Sequence, residues 1–489
     1  MRNQSVFSYF MTETKTAGEL AFLASSVQRN FGKYTIYTDQ NTPFSSFVGE
    51  DVACAIFGLA VNVLSGESEG LAKAIAECCN CMEDVLAFER DLGGKYVIFF
   101  KAHEQYYLLG DATCSIPVFY NQGDVFVGAS NDQSVADAMG YRLDDAYVQI
   151  RRSGEISQAM PYDITVWRQI KQLLPNHYLD INRQQAVRFV NAAESQKSVS
   201  VEDATDETQP MIERLLAFYL KTYKIYCPIT SGRDSRVVLS FLKQSGESFR
   251  CYTIRHPEHH DQTPDIVVPI ELGKKAEIEH RLVEDLAVSD GLAREMDDIL
   301  GEGHYSARTL RIAHTIQQYF GDGAVINGDI IGQVGKCSLH RDIPLVFATP
   351  SYFRCKLHNY SKEAKLQLKE WLLEIKQSGE QVNAFDLFSI ENRMGRWAAQ
   401  ENLIYNTLGQ VYLNIFNCRR IIYLWTAVNR KKRKRSMLHA EYIKKTHPAL
   451  LDVPFAKDEG LVFKISKSTW LTYLLSSYAK YYIEKRKYK

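Results

Sequence analysis

The residues of this chain best suited to chemistry form a short turn, Thr230-Ser231-Gly232-Arg233-Asp234-Ser235, set between two apolar stretches. A small-residue turn that ends a strand and opens a helix points several backbone N–H groups and the positive end of the helix dipole at one place. That place favours phosphate. The turn has no closing Gly-Lys-Ser/Thr and lacks three spaced glycines, so it is neither a Walker A loop nor the dinucleotide fingerprint. The plain alternative is an ordinary strand-to-helix turn with Asp234 as a helix cap. A second polar group, Asn327-Gly328-Asp329, follows the apolar run 324–326 and precedes Ile330-Ile331-Gly332-Gln333. A third is the basic run 430–435, whose last members are Lys434 and Arg435. Such a run is usually a solvated face, and sometimes a patch for nucleic acid or anionic lipid.

Two further clusters carry less. Cys78, Cys79 and Cys81 lack the second ligand pair that a metal centre needs. His256, His259 and His260 lie among acids in residues 255–261, but adjacent loop residues rarely converge on one ion, and a solvated substrate-side loop is expected there.

The elements that must position these groups follow from periodicity. Residues 225–229 read as a short buried strand. The helix after the turn places Val238, Phe241 and Leu242 on one face and stops at Gly246. A helix at 209–221, a strand at 249–254, helices at 265–275 and 306–320 and a strand at 324–326 complete the surroundings. Helical sequence, including Arg393-Met394-Gly395-Arg396-Trp397, fills most of the remainder, and a last helix spans 469–482 before a tail, 485–489, expected to be mobile. The first 190 or so residues differ. They contain short strands at 95–100, 105–109, 118–120 and 125–127, spaced as in stacked antiparallel sheets. The polar stretch 192–208 marks the joint, giving domains at 1–195 and 205–489.

A length of 489 residues is enough for two cores. Lys+Arg 58 against Asp+Glu 58 leaves no net charge, which gives no reason to expect nucleic acid or an anionic membrane as a global partner. The ten cysteines are scattered, mostly in apolar runs, as expected in a reducing compartment. No stretch is long and apolar enough to span a bilayer and no signal peptide is evident, so the cytoplasm is the expected location.

The 230–235 turn resembles the pyrophosphatase loop of the asparagine synthetase family, Ser-Gly-Gly-x-Asp-Ser. Thr230 stands for the first serine, Ser231 for the first glycine, and Gly232, Asp234 and Ser235 match. Asn327-Gly328-Asp329 is similar to the start of that family's second nucleotide motif, Ser-Gly-Asp/Glu-Gly-x-Asp-Glu, with Gly332 and Gln333 in place of its Asp-Glu pair. Arg435, with Lys434 beside it, occupies the place of a lysine that meets phosphate and the reaction intermediate. In the first domain, 93–100, Gly110-Asp111, 116–120, 128–130 and 174–179 occur in the order of the glutaminase-type domain of the same family. The chain begins Met1-Arg2-Asn3-Gln4, without the N-terminal cysteine nucleophile, so glutamine hydrolysis is not expected. β-Lactam synthetases and lasso-peptide cyclases share that loss.

The resemblance implies an α/β protein: an Ntn-hydrolase-like domain of stacked β-sheets (αββα), then a parallel-sheet domain of the adenine-nucleotide alpha-hydrolase-like kind. It implies an ATP-dependent amide-forming ligase that adenylates a carboxylate and passes it to an amine or ammonia. Thr230, Ser231, Gly232, Asp234, Ser235, Asn327 and Gly328 would meet ATP, Asp234 and Asp329 would hold Mg2+, and Arg435 or Lys434 would neutralise developing charge. The carboxylate is a small molecule, a peptide or a sugar acid of a glycan; no nucleic acid and no membrane span are expected, and a homo-oligomer is compatible with the sequence. The competing readings are transfer of sulfur or nitrogen to an adenylated nucleobase, against which the first domain speaks, and a non-catalytic binding protein, favoured by Gly332 and Gln333.

Overall fold

The computed structural model describes residues 5–13, 26–152, 160–189, 198–301, 305–340, 342–455 and 469–487. The starting residues 1–4, part of the expected joint, 190–197, and the tail residues 488–489 lie outside them.

The first part is built on a long hairpin. Strands Val52–Asn62 and Leu92–Ala102 pair antiparallel along their whole length, from Val52 opposite Ala102 to Asn62 opposite Leu92. Both are nearly continuous in apolar residues because both of their faces are covered. Ala55, Phe57 and Leu59 face a second sheet across the shared core. Cys54, Ile56, Ile98 and Phe100 face outward, where helices Leu71–Cys78 and Met82–Glu89 bring Leu71, Ile75 and Val85 against them. On the far side, Phe10, Phe119 and Val127 of the second sheet meet Val135 and Ala136 of helix Asp132–Met139. Each sheet has six strands, and the layers run helix, sheet, sheet, helix. Strands expected at 118–120 and 125–127 lie at Phe119–Asn121 and Val127–Ala129. The shift has a local cause: the Asn121 side chain donates to the Val125 carbonyl (2.7 Å) and accepts from the Val127 N–H (2.8 Å), so 122–126 is a turn.

The second part is built on a five-stranded, wholly parallel sheet. Its spatial order is His280–Glu284, Phe249–Arg255, Ile225–Pro228, Ala324–Asn327, Val411–Asn414. The helix leading into it, Val201–Thr222, starts well inside the stretch read as a polar joint. Ser200 caps it by accepting from the Asp203 N–H, Glu202 and Asp203 sit at the positive end of its dipole, and Thr205 and Thr208 are buried. The Thr208 hydroxyl meets the Tyr442 hydroxyl, so polar residues here face the core rather than solvent. Two π-helices, Ile331–Gly335 and Phe388–Ala398, interrupt the helical remainder; the second contains the expected 393–397 stretch.

A seam of buried polar contacts joins the two parts. Arg419 donates to both Glu89 oxygens (2.7 and 3.1 Å) and to Asn176 (2.9 Å). Arg188 spans to Glu391 (2.7 and 2.8 Å) and Glu374 (3.1 Å). The Lys95 ammonium donates to Asn402, Asn406 and the Tyr412 carbonyl at 2.8–3.2 Å, and burial pulls it down to about 7 against the opposing pull of Asp111.

Candidate functional site

In spatial order the parallel sheet reads third, second, first, fourth and fifth strand of its own sequence. The connections from the first and fourth strands therefore leave in opposite directions, and a crevice opens at their carboxyl ends, where open parallel sheets hold ligands. The first strand ends at Pro228 and leads into 230–235. The fourth ends at Asn327 and leads into Gly328-Asp329. Two segments almost a hundred residues apart in sequence thus face each other. Their approach is close: a Cβ on Gly328 would lie 2.8 Å from the Asp234 backbone oxygen.

Asp234 opens helix Asp234–Ser245, which ends at Gly246 in the left-handed conformation as its sequence predicts. Its carboxylate lies at the focus of the crevice. Oδ1 accepts from His439 Nε2 at 2.8 Å, and the Lys336 ammonium is 3.9 Å away. Burial alone would raise this carboxyl; the His439 hydrogen bond and the charges of His439, Lys336 and Arg233 outweigh it and hold it below its ordinary value. Oδ2 lies against Gly332, where a Cβ would come within 2.6 Å. Asp329 has the opposite fate: burial and the charge of Asp234 push it up to about 6, against the pull of Arg393.

The donors of the 230–235 turn also have protein partners. Ser231 N–H and Oγ–H donate to Asp265 Oδ1 (2.9 and 2.5 Å), Thr230 N–H donates to Ser235 Oγ (3.2 Å), and Gly232 N–H donates to Thr230 Oγ1 (3.2 Å). Asp265 stands in the first turn of helix Pro264–Lys275. Asn327 is a brace: its amide donates to the Leu413 carbonyl (3.1 Å), and its oxygen accepts from Asn414 (2.8 Å) and from the Asp329 N–H (2.9 Å).

The basic run divides by role. Arg433 is buried and forks onto Asp386 (2.9 and 2.6 Å), Lys434 pairs with Asp342 (3.1 Å), and Arg435 is exposed, with no ion pair among the described residues. His439, in the next helix, Met437–Thr446, is the residue of this region that reaches Asp234. His256, from the histidine-rich loop, pairs with Asp285 at 2.8 Å.

On the other flank, Glu401 is pushed up to about 8 by burial and the charge of Asp329. It accepts from Thr309 Oγ1 at 3.2 Å. Arg393 stacks on the Trp397 ring at 4.3 Å, and its buried Nε has no hydrogen-bond partner. A small cavity lined by Lys95, Thr113, Asn327, Asp329, Asn402 and Asn417 lies between the crevice and the first part of the fold.

The donor set does not fit a magnesium ion gripped by two free carboxylates. Magnesium takes octahedral oxygen ligands at short distance and commonly one or two carboxylates beside phosphate. Here Asp234 is already tied to His439 beside Lys336, Gly332 brings no oxygen, and among the described residues no cluster of three or more His, Cys, Asp or Glu could hold a metal.

Sequence reasoning reached the two facing segments because each is a local pattern. It missed Lys336, His439, Asp265 and Glu401, which arrive by tertiary folding, and it named Arg393 only within a helical stretch whose arginines could face either the cleft or solvent. The one available signal was the Leu438-His439 pair just after the basic run.

No family model matches the sequence, and no curated protein matches it. Among solved structures, an allosteric regulatory enzyme of purine biosynthesis aligns over 62% of this chain and 73% of its own, at 13% identity and a TM-score of 0.26. The glutamine phosphoribosylpyrophosphate amidotransferase of B. subtilis, complexed with ADP and GMP, aligns over 69% and 72%, at 11% identity and a TM-score of 0.24. Likenesses this distant leave the conclusion to the geometry: the chain is a mixed α/β protein of two antiparallel sheets and one parallel sheet, with a charged crevice at the strand-order reversal.

Proposed function

We propose that this chain is an ATP-dependent carbon–nitrogen ligase of the asparagine-synthetase type, with an Ntn-hydrolase-like first domain that serves as scaffold and a second domain of the adenine-nucleotide alpha-hydrolase-like kind. The observation that supports it most is the meeting of 230–235 and 327–329 across the switch point of the parallel sheet. The triphosphate would lie over the 230–235 turn at the start of helix Asp234–Ser245, exchanging the internal acceptors Asp265, Thr230 and Ser235 for phosphate oxygens. Lys336 and the exposed Arg435 supply positive charge, and His439 holds Asp234 in place. A substrate carboxylate oxygen forms a bond to the α-phosphorus as the bond to the bridging oxygen breaks, and pyrophosphate leaves. The amine then forms the C–N bond, AMP departs with the bonding electrons, and the amine proton goes to a base. Positioning and electrostatic stabilisation are what such a site contributes to the transfer.

A second reading, a non-catalytic nucleotide-binding relative, is favoured by one specific feature: Ser231 and Asp234 are already satisfied by Asp265 and His439. Isotope exchange between pyrophosphate and ATP, run with panels of amino acids, peptides and uronic acids, separates the two. Acid-dependent exchange supports the ligase. ATP binding without exchange for any acid supports the second reading, and no ATP binding removes both.

A further inference from the structure

We propose that the face formed by the last helix and the turn Leu345–Phe347 is a docking surface for an anionic lipid bilayer. Helix Trp470–Lys487 buries Leu474 and Tyr481 against the body. The flank next to this buried stripe, about a quarter-turn round the helix, should then grade into polar residues, as on an ordinary surface helix. Instead it carries Leu471, Leu475 and Tyr482 at i, i+4 and i+11, exposed at 48, 60 and 56%, and Ile483, exposed at 59%, follows farther round. Beside its start lies a second apolar pair, Leu345 and Val346, exposed at 56 and 78%. The Phe347 ring sits 5.4 Å from that of Trp470, so the two sets adjoin. Scattered exposed leucines are normal, but a contiguous apolar patch marks an interaction site.

The charge around the patch identifies the partner. Arg430 donates to the Ile343 carbonyl (3.0 Å) and Lys434 pairs with Asp342 (3.1 Å), fastening the basic helix Arg430–Lys434 to the segment that leads into the turn. Lys431 and Lys432 of that helix are exposed. At the other end of the patch Lys480 and Arg486 are exposed. Among the described residues, Asp342 is engaged by Lys434, and Glu484 by His358 at 2.7 Å and by Lys480 at 3.7 Å. An apolar strip rimmed by cations matches the boundary between lipid headgroups and acyl chains, with leucine and tyrosine sinking and lysine and arginine meeting phosphate. A second copy of the chain suits it less well, because a two-fold contact would set the basic rim against itself. This surface is separate from the crevice and does not depend on the ligase reading.

The test is co-sedimentation of the full chain with vesicles of phosphatidylcholine alone and of phosphatidylcholine with phosphatidylglycerol, at low and physiological salt. The expected result is binding to the phosphatidylglycerol vesicles that weakens with salt. Lys431→Glu with Lys432→Glu should lower the partition about tenfold or more, and Val346→Asp with Leu475→Asp should abolish it with an unchanged melting temperature. Absence of vesicle binding, binding that survives Val346→Asp with Leu475→Asp, or a dimer in sedimentation velocity that the same pair of substitutions breaks would overturn the proposal.

Discussion

The seam between the two parts of the fold and the crevice at the end of the parallel sheet are both rich in charge, yet they are built in opposite ways. In the seam, the two buried arginines meet opposite charges directly: Arg419 forks onto Glu89 and Arg188 onto Glu391, while Lys95 is held by neutral acceptors. In the crevice, charges gather with fewer direct pairs. Asp234 raises Asp329 and Asp329 in turn raises Glu401, each on top of burial, and among the described residues neither makes an ion pair with Arg393. Asp234 leans on His439, with Lys336 farther off. Satisfied buried ion pairs fix an arrangement, and their loss is severe. Perturbed carboxyls gathered in a cleft are a pattern shared by functional sites and by structural charge networks.

The largest expected effect therefore lies in the seam. Glu89→Ala would leave the Arg419 guanidinium buried beside Asn176 alone and take away a partner of the Tyr96 hydroxyl. It should cost about 3–5 kcal/mol of stability, read as a shift in the denaturant midpoint at constant slope. A loss below about 1 kcal/mol would place the seam among ordinary surface pairs and dissolve the contrast.

A smaller effect is expected in the crevice, and it should be a gain. Asp265→Asn keeps an oxygen for Ser231 but removes a negative charge beside the phosphate turn. ATP should bind about fivefold tighter, the worth of roughly 1 kcal/mol of screened repulsion. Weaker binding would mean that Asp265 holds the turn in shape and does not compete with phosphate.

The third effect is a change of slope with pH. Glu401 is pushed up to about 8, against roughly 4.3 in an unfolded chain. Between those values the folded chain holds a proton that the unfolded chain has released, so stability falls as pH rises through the window. Asp329, at about 6, contributes with the same sign. Glu401→Gln should flatten the decline, so that the melting temperature of the variant gains on the parent from about pH 5 to about pH 8. Parallel curves would show that Glu401 is not strained.

How much of this was legible in the sequence depends on whether the determinant is local. The 230–235 turn, the Gly246 stop and the strands on either side of the crevice are written in neighbouring residues, and they stand close to where periodicity places them. The start of Val201–Thr222 was hidden because its buried face uses Thr205 and Thr208, whose threonine side chains give no apolar rhythm. Residues 393–397 look like ordinary helix, and only packing makes Phe388–Ala398 a π-helix, a form frequent at functional sites. The basic run 430–435 cannot show from composition that Arg433 is a core residue locked to Asp386 while Arg435 faces solvent. Nor can any local pattern reveal that Lys336 and His439 converge on Asp234 from positions far along the chain.

That convergence is the centre of the account: Lys336 and His439 approach Asp234 where the proposed reading would otherwise need a metal-gripping carboxylate pair. The most direct test is calorimetric titration with ATP in the presence of a chelator and then with magnesium, for the parent chain and for Lys336→Ala. The account predicts saturable binding in chelator, weakened about fivefold to tenfold in Lys336→Ala, the loss expected for a charge-assisted contact. Binding that appears only with magnesium and is indifferent to Lys336 would contradict it.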